Sequence, residues 1–561
     1  MTENALQSPS KQRTIFYAIW LLISLMQAGF TELFHDEAYY WLYSTEMAWG
    51  YFDHPPMVAF LIKLGYSIFG NELGARLLIV LLNTLAIFLL EELIKPEKPL
   101  YFYLVVASVA VFHAGFLATP DAPLLFFSAS FFWVYKRFLD KPSSLTILLL
   151  GLNMSLLLLS KYHGVLVIGF TVLSNLKLLK NGKFWLAALI GIIGFAPHLW
   201  WQYENGFPTF MYHLFERSGD KYRFSFTSEY LLGQLFVPGP IIGFLLLYLG
   251  FKFKPQNSFD KALKFNLYGI YLFFLFMSFK GRVEAHWTFV AALPLVYTSF
   301  KNPASAKAFS KSLKIIVPIS LVLLLTARAF LMYNFLPQGK VETEFHGWDE
   351  WAKDLQKEVN GLPVAFMNSY QNASKYTFYT GEKAISLNNP YGRRNQFGLW
   401  DWEKEMQGEE VILVANYDAK GYDSLQTDIK LVLYKNIENF RTFSYIKMPV
   451  EQRDYEVKRG EPFKVRFKFD ISDCPNIDLE NNPKFKPVVY FHLLDGKRMA
   501  QQGVTPIKPT NEMVRSGETF EIELVINEKL TEDRYFLILG IRPGGIPAAI
   551  SSPTMKVKVL E

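Results

Sequence analysis

The sequence predicts a polytopic α-helical membrane protein with about eleven transmembrane helices, followed by a soluble α/β module and a β-sandwich. Three observations predict it. Of 561 residues, 51% are hydrophobic and 17% aromatic against 19% charged. Apolar stretches of about 18 or more residues recur, longer than the core of a soluble domain requires. The connections between them are basic at every second turn, the signature of alternating membrane sides.

After Lys11 and Arg13, residues 14–34 are almost wholly apolar. The stretch is too long for a signal-peptide core and lacks a small-residue cleavage site, so it is expected to be a retained first helix. Further spans are expected over 73–94, 100–118, 122–139, 144–160, 162–179, 184–203, 229–251, 264–280, 286–300 and 313–335. The basic connections, such as Lys95 with Lys98, Lys177 with Lys180 and Lys183, and Lys301 through Lys314, place the N-terminus in the cytoplasm. Loops 35–72, 119–121, 204–228 and 281–285, the turn at Lys161, and everything after about 336 are then external. The domain limits follow as 1–338 for the membrane domain, 339–437 for the α/β module and 438–561 for the sandwich. WDEWAKDLQKEVN (348–360) has helical periodicity, and PVAFM and EEVILVANY read as strands. Beyond them YEVKRGEPFKVRFKFD, PVVYFHLL, ETFEIELVI and YFLILGI read as sandwich strands separated by turn residues.

Composition excludes several classes of function. The net charge of +6 is spread through short interhelical runs, so no nucleic-acid partner is expected. The single cysteine, Cys474, rules out an intrachain disulfide framework. Neither a P-loop nor a GxGxxG fingerprint is present, nor an Asp-x-Asp pair of the sort that holds a metal-nucleotide complex.

Polar residues gather on the expected external face. His35, Asp36 and Glu37 stand at the exit of the first helix, ahead of Asp53 and His54 in GYFDHPP. Carboxylates so close to hydrocarbon are costly and point to function; capping or hydration of a helix end is the rival reading. Asp121 in TPDAP is a functional candidate and equally an N-cap candidate. Lys161, Tyr162 and His163 interrupt an apolar run, where a lysine must find water or an anion. Arg217, with its neighbours His213, Glu216 and Lys221, and then Lys280, Arg282, Glu284 and His286 break the external scarcity of cations, as a negatively charged ligand would explain; snorkelling toward lipid phosphates is the alternative. An external site has no ready supply of nucleotide sugars or ATP, so a substrate reached from within the bilayer fits better, and a lipid-linked sugar is the obvious candidate. Sugar transfer from a polyprenyl phosphate needs positive charge near the leaving phosphate and one carboxylate to take the acceptor proton.

The succession HDEAYYW, GYFDHPP, TPDAP, SKYHG and KGRVEAHW resembles the bacterial polyprenyl-phosphate glycosyltransferases of the GT-C fold, which are related to protein O-mannosyltransferases and lipid A aminoarabinose transferases. The similarity covers about residues 14–335. It implies an inverting transferase in the bacterial inner membrane, with Asp36 as base or acceptor-orienting group, Glu37 adjacent and Asp53 as a second acidic site. Lys161, Lys280 and Arg282 are implied as donor-phosphate ligands. His35, His54, Asp121, Tyr162, His163, Arg217 and His286 are substrate-binding candidates. Gln371, Arg393, Arg394 and Asn395 lie in a segment similar to the outer domain of some bacterial members, where they are candidates to touch donor or acceptor. The donor is expected to be a polyprenyl-phosphate-linked monosaccharide and the acceptor a lipid, polysaccharide or protein of the envelope. No cofactor is expected and no metal is assigned, although a divalent cation has ligands available in Asp36, Glu37, Asp53 and the nearby histidines. The rival function is a transporter or flippase for lipid-linked saccharide. No internal repeat supports it. Carbohydrate or partner binding by the sandwich is a further expected role.

Overall fold

The computed structural model describes residues 8–212, 222–335, 343–390, 392–415, 421–474, 477–480, 486–496, 498–531, 533–544 and 546–560. It divides into two compact units, Met1–Trp348 and Asp349–Glu561. The expected α/β module and sandwich therefore lie within one unit, and the division falls ten residues beyond the expected 338.

The first unit is helical. α1 (Pro9–Phe30), α2 (His35–Thr45), α3 (Met57–Tyr66), α4 (Glu72–Ile94), α5 (Pro99–Val106), α6 (Ala110–Ala114), α7 (Asp121–Asp140), α8 (Ser144–Ser160) and α9 (Gly164–Ser174) lead to α10 (Gly182–Glu204) and α11 (Pro208–Met211). Then follow α12 (Phe224–Phe236), α13 (Ile242–Lys252), α14 (Ser258–Ser278), α15 (Ala292–Lys301), α16 (Ser305–Ser312) and α17 (Ile316–Met332). Each apolar stretch of the sequence is helical, but only α1, α4 and α10 among the described residues are single helices long and apolar enough to cross a membrane; α16 and α17 form a fourth candidate, bent by 61°. Leu189, Ile192 and Ile193 on α10 and Val322 and Leu323 on α17 are exposed. Water would penalise such apolar surfaces, whereas lipid solvates them.

The expected spans 100–118 and 229–251 are each broken, and these two breaks pack on each other. Pro238 and Pro240 deny backbone N–H donors between α12 and α13. Gly239 between them has φ 142°, and a Cβ there would come within 2.6 Å of the Ser108 carbonyl oxygen in the α5–α6 break. Lipid cannot satisfy the backbone groups freed by a break. The His113 ring does so at one of them, its Nε2 lying 2.6 Å from the Ala107 carbonyl oxygen.

The second unit opens with most of α18 (Trp348–Val359). β1 (Val364–Met367), α19 (Tyr370–Thr380), β2 (Ala384–Leu387), α20 (Trp402–Glu405), β3 (Val411–Ala415), β4 (Asp423–Gln426) and β5 (Leu431–Ile437) build a sheet of order β2-β1-β3-β5-β4. β1 is parallel to β2 and β3, and β5 is antiparallel to β3 and β4. β6 (Asp454–Lys458), β7 (Pro462–Lys468), β8 (Val488–Asp495), β9 (Arg498–Val504), α21 (Asn511–Arg515), β10 (Thr519–Val525), β11 (Arg534–Arg542) and β12 (Met555–Leu560) follow. They form a five-stranded sheet, β6-β12-β11-β8-β9, and a β10-β7 pair. Both contribute to one apolar core, which includes Val465, Phe467, Val489, Ile522, Leu539 and Val557.

One buried group gives the sandwich a pH signature. His492 on β8 is 1% exposed, and burial, aided by the charge of Arg542, holds its pKa down at about 4. Between the ordinary histidine value near 6.5 and about 4, the unfolded chain takes up a proton that the folded chain refuses, so stability falls as pH falls through that window. The loss is expected to reach roughly 3 kcal/mol. Denaturant unfolding of the detergent-solubilised protein at pH 7 and pH 4.5, compared with His492→Gln, checks it: the substitution is expected to flatten the pH dependence.

Candidate active site at the first interhelical loop

The site is built where α1 ends. Phe30 closes that helix, Thr31 is extended, and α2 begins again at His35. Asp36 and Glu37 thereby enter the first turn of α2, where the free N–H groups of a helix favour negative charge. Their environments then diverge. Asp36 is half-buried. Glu37 is 1% exposed and meets Arg76 of α4, with Nε–Oε1 at 2.8 Å and Nη2–Oε2 at 2.6 Å. Glu37 also accepts the Ala118 N–H at 2.6 Å and the Phe34 N–H at 2.9 Å. Arg76, 0% exposed, donates further to the carbonyls of Ala28, Thr31 and Glu32.

In this geometry Glu37, expected beside Asp36 as a catalytic carboxylate, is engaged by four donors. A carboxylate that receives a bidentate guanidinium and two backbone N–H groups has its lone pairs engaged. Glu37 ties the start of α2 to α4 and to the turn carrying Ala118.

That turn leads into α7, whose first residue is Asp121. Asp121 is buried, and both of its oxygens lie 2.8 Å from Lys161 Nζ. His286 Nε2 stands 3.9 Å from Asp121 Oδ2. Lys161, expected as a phosphate ligand, is buried too, and its charge is matched by Asp121, as a buried cation requires. Lys280 and Arg282 are exposed. Lys280 Nζ sits 5.2 Å over the Phe276 ring, and Arg282 stands 3.7 Å from Glu229 and 3.8 Å from Glu284. Contacts this long at an exposed site are weak, which leaves both cations open to an anion.

Asp53 is buried and accepts the Tyr43 hydroxyl at 3.1 Å. His54 packs edge-on against Tyr40, with ring centroids 5.4 Å apart. His35 meets Trp348 edge-on at 4.6 Å, and His163 meets Phe274 and Trp287 at 5.0 and 5.6 Å. These histidines sit among aromatic rings. Tyr162 hydrogen-bonds His198 Nε2 at 2.7 Å. Arg217, with His213, Glu216 and Lys221, lies outside the described residues. In the second unit, Arg393 Cζ lies 4.7 Å over the Tyr370 ring, and Arg394 donates to the Ser552 carbonyl at 2.6 Å. Asn395 accepts the Phe397 N–H. Among the described residues, no three His, Cys, Asp or Glu side chains are grouped as a metal site would need.

Sequence reasoning missed Arg76, His198, Gln202 and Arg328. Arg76 is the one cation of the apolar α4 and Arg328 the one charged residue of α17, and that was the available signal. Arg328, 4% exposed, bonds Gln27 Oε1 at 3.1 Å, the Ile23 carbonyl at 3.3 Å and His113 Nδ1 at 3.3 Å. Both guanidiniums lie over the Phe116 ring, Arg76 at 5.2 Å and Arg328 at 5.9 Å, so Phe116 anchors the turn that carries Ala118.

Parts of the chain are similar to known proteins. The family model described as dolichyl-phosphate-mannose-protein mannosyltransferase matches residues 53–201. The lipid A galacturonosyltransferase RgtD of Rhizobium johnstonii is 26% identical over 263 residues, 44% of this chain and 54% of that protein. The chain thus spans about half the length of this curated relative. The crystal structure of ArnT from Cupriavidus metallidurans bound to undecaprenyl phosphate superposes with a TM-score of 0.56 at 13% identity, covering 76% of this chain and 98% of that one. The chain is a multi-pass membrane protein with the GT-C fold displayed by ArnT, and part of its sequence is similar to glycosyltransferases.

Proposed function

We propose that the protein is an inverting glycosyltransferase that moves a single sugar from a polyprenyl phosphate to an envelope acceptor of the lipid A kind, on the extracytoplasmic face of a bacterial inner membrane. The observation that carries this reading is the half-buried Asp36 in the first turn of α2, held by the buried Glu37–Arg76 pair. The lipid A acceptor named for RgtD and the undecaprenyl phosphate held by ArnT support the choice of substrates.

The chemistry asks little more of the protein. Asp36 takes the proton of the acceptor hydroxyl as its oxygen attacks the anomeric carbon. The bond from that carbon to the phosphate oxygen breaks on the opposite face, and the electron pair leaves with the phosphate. One displacement inverts the anomeric centre. A phosphate leaves without being protonated, so a second carboxylic acid is unnecessary, unlike in glycoside hydrolysis. Charge growing on the phosphate oxygens needs cations, and Lys280 and Arg282 are exposed in the turn that precedes His286 in the chain.

Purified protein in proteoliposomes, given polyprenyl-phosphate sugar and unmodified lipid A, is expected to yield a lipid A heavier by one sugar residue. Donor translocated without any glycosidic product would overturn the reading in favour of a flippase. Lys280→Gln with Arg282→Gln is expected to lower kcat/KM for the donor by about tenfold or more, with kcat falling as well as KM rising, because the two cations meet a phosphate whose charge grows in the transition state. Initial rates at varied donor concentration measure it.

A further inference from the structure

We propose that His198, Gln202 and Thr209 are positioning residues: a chain of hydrogen bonds from α10 clamps the loop Trp49–Tyr51 and so sets Tyr43 and Asp53 in the candidate site. The inference rests on the transferase reading above.

The direction of every bond follows from its chemistry. The Trp49 carbonyl only accepts, so His198 Nδ1–H donates to it at 2.7 Å. His198 Nε2 is then the acceptor, and the Tyr162 hydroxyl donates to it at 2.7 Å. Gln202 Nε2 donates to the Tyr162 oxygen at 3.2 Å and to Thr209 Oγ1 at 2.7 Å. Thr209 donates in turn to the Tyr51 carbonyl at 3.2 Å. His198, Gln202 and Thr209 are all buried, where a lost partner is costly. Two carbonyls of one short loop are thereby fixed to a membrane-length helix.

Backbone geometry is committed to the same arrangement. Gly206 and Phe207 follow α10 with φ 71° and 56°, both left-handed, a conformation that strains Phe207. Their reversal, closed by Phe207 N–H to the Gln202 carbonyl at 2.6 Å, returns Thr209 to Gln202. At Gly50, a Cβ would stand 2.4 Å from Trp201 Cε3 and 2.8 Å from His198 Nδ1, so the loop lies flush on α10 and only glycine fits.

From the clamp the order passes to the site. The Tyr51 ring stacks on Tyr43, with centroids 4.1 Å apart and planes at 8°. The Tyr51 hydroxyl donates to the Tyr43 carbonyl at 2.8 Å, and the Tyr43 hydroxyl donates to Asp53. Small misplacements of such groups cost rate rather than affinity.

The test uses the full chain in nanodiscs, with Gln202→Leu and the near-isosteric Thr209→Val, singly and together. The expected result is a kcat lowered about tenfold by Gln202→Leu, with donor KM held within about twofold. The double variant should be no worse than the more damaged single one, because both substitutions cut one chain. The Tyr51 amide, which donates to the His54 carbonyl at 3.0 Å, should exchange hydrogen about tenfold faster in either variant. Unchanged exchange at Tyr51 overturns the clamp, and so does a rise in KM at constant kcat, which would make Gln202 a substrate ligand. Should Gln202→Leu not fold, Thr209→Val decides alone. Exchange is read without turnover, so an inactive wild-type protein overturns the transferase reading while the clamp is still judged.

Discussion

Asp36→Asn is expected to insert and unfold like the wild type while turnover falls about a hundredfold to ten-thousandfold, the usual cost of losing a general base. The amide keeps the size of the side chain and its place in the first turn of α2, but it cannot hold the proton that the acceptor hydroxyl gives up. Because the loss belongs to the transition state, kcat and kcat/KM should fall together, with little change in KM for either substrate. Glu37 does not replace it, since its oxygens already serve Arg76, Ala118 and Phe34. Single-turnover transfer in detergent, with unfolding temperature as the control, decides the matter. Turnover within a few-fold of wild type would remove Asp36 from the role of base.

The helical segments were legible because hydropathy reports length directly. Their interruptions were less so. The PGP sequence at 238–240 signals one break, yet nothing local marks the break at 107–109, which depends on His113 and on contact with Gly239. In the second unit the alternating strands β6, β7, β8, β10 and β11 were visible in the pattern of apolar residues. β12 is just as alternating, but its parallel pairing with β6 joins residues about a hundred positions apart, and no local pattern encodes such a partner.

The site was legible as a set of residue types on one face and illegible as pairs. HDE announces two adjacent carboxylates, but which of them is engaged depends on an arginine 39 positions away. Lys161 reads as a free cation until Asp121, 40 positions earlier, is placed against it. His198 and Gln202 look like ordinary polar residues at a helix end until the loop at Trp49 is laid on them. Charge balance across distant helices is what sequence spacing does not report.

That balance supplies the second large effect. Glu37→Gln and Arg76→Met are each expected to lower stability by about 3–5 kcal/mol, because each leaves the other charge buried without its partner. Restoring neutrality should recover part of the loss: the double variant Glu37→Gln with Arg76→Met is expected to be more stable than Arg76→Met alone, since no bare carboxylate remains, and the cycle should show strong coupling. Turnover tells a different story from stability. Losing the guanidinium frees the Ala28, Thr31 and Glu32 carbonyls that fix the end of α1, so the double variant should stay slow even where it is folded. Thermal unfolding and initial rates on the same preparations separate the two. If Glu37→Gln instead kept wild-type stability and lost turnover as severely as Asp36→Asn, Glu37 would be the proton acceptor, and the buried pair would belong to the reaction rather than to its scaffold.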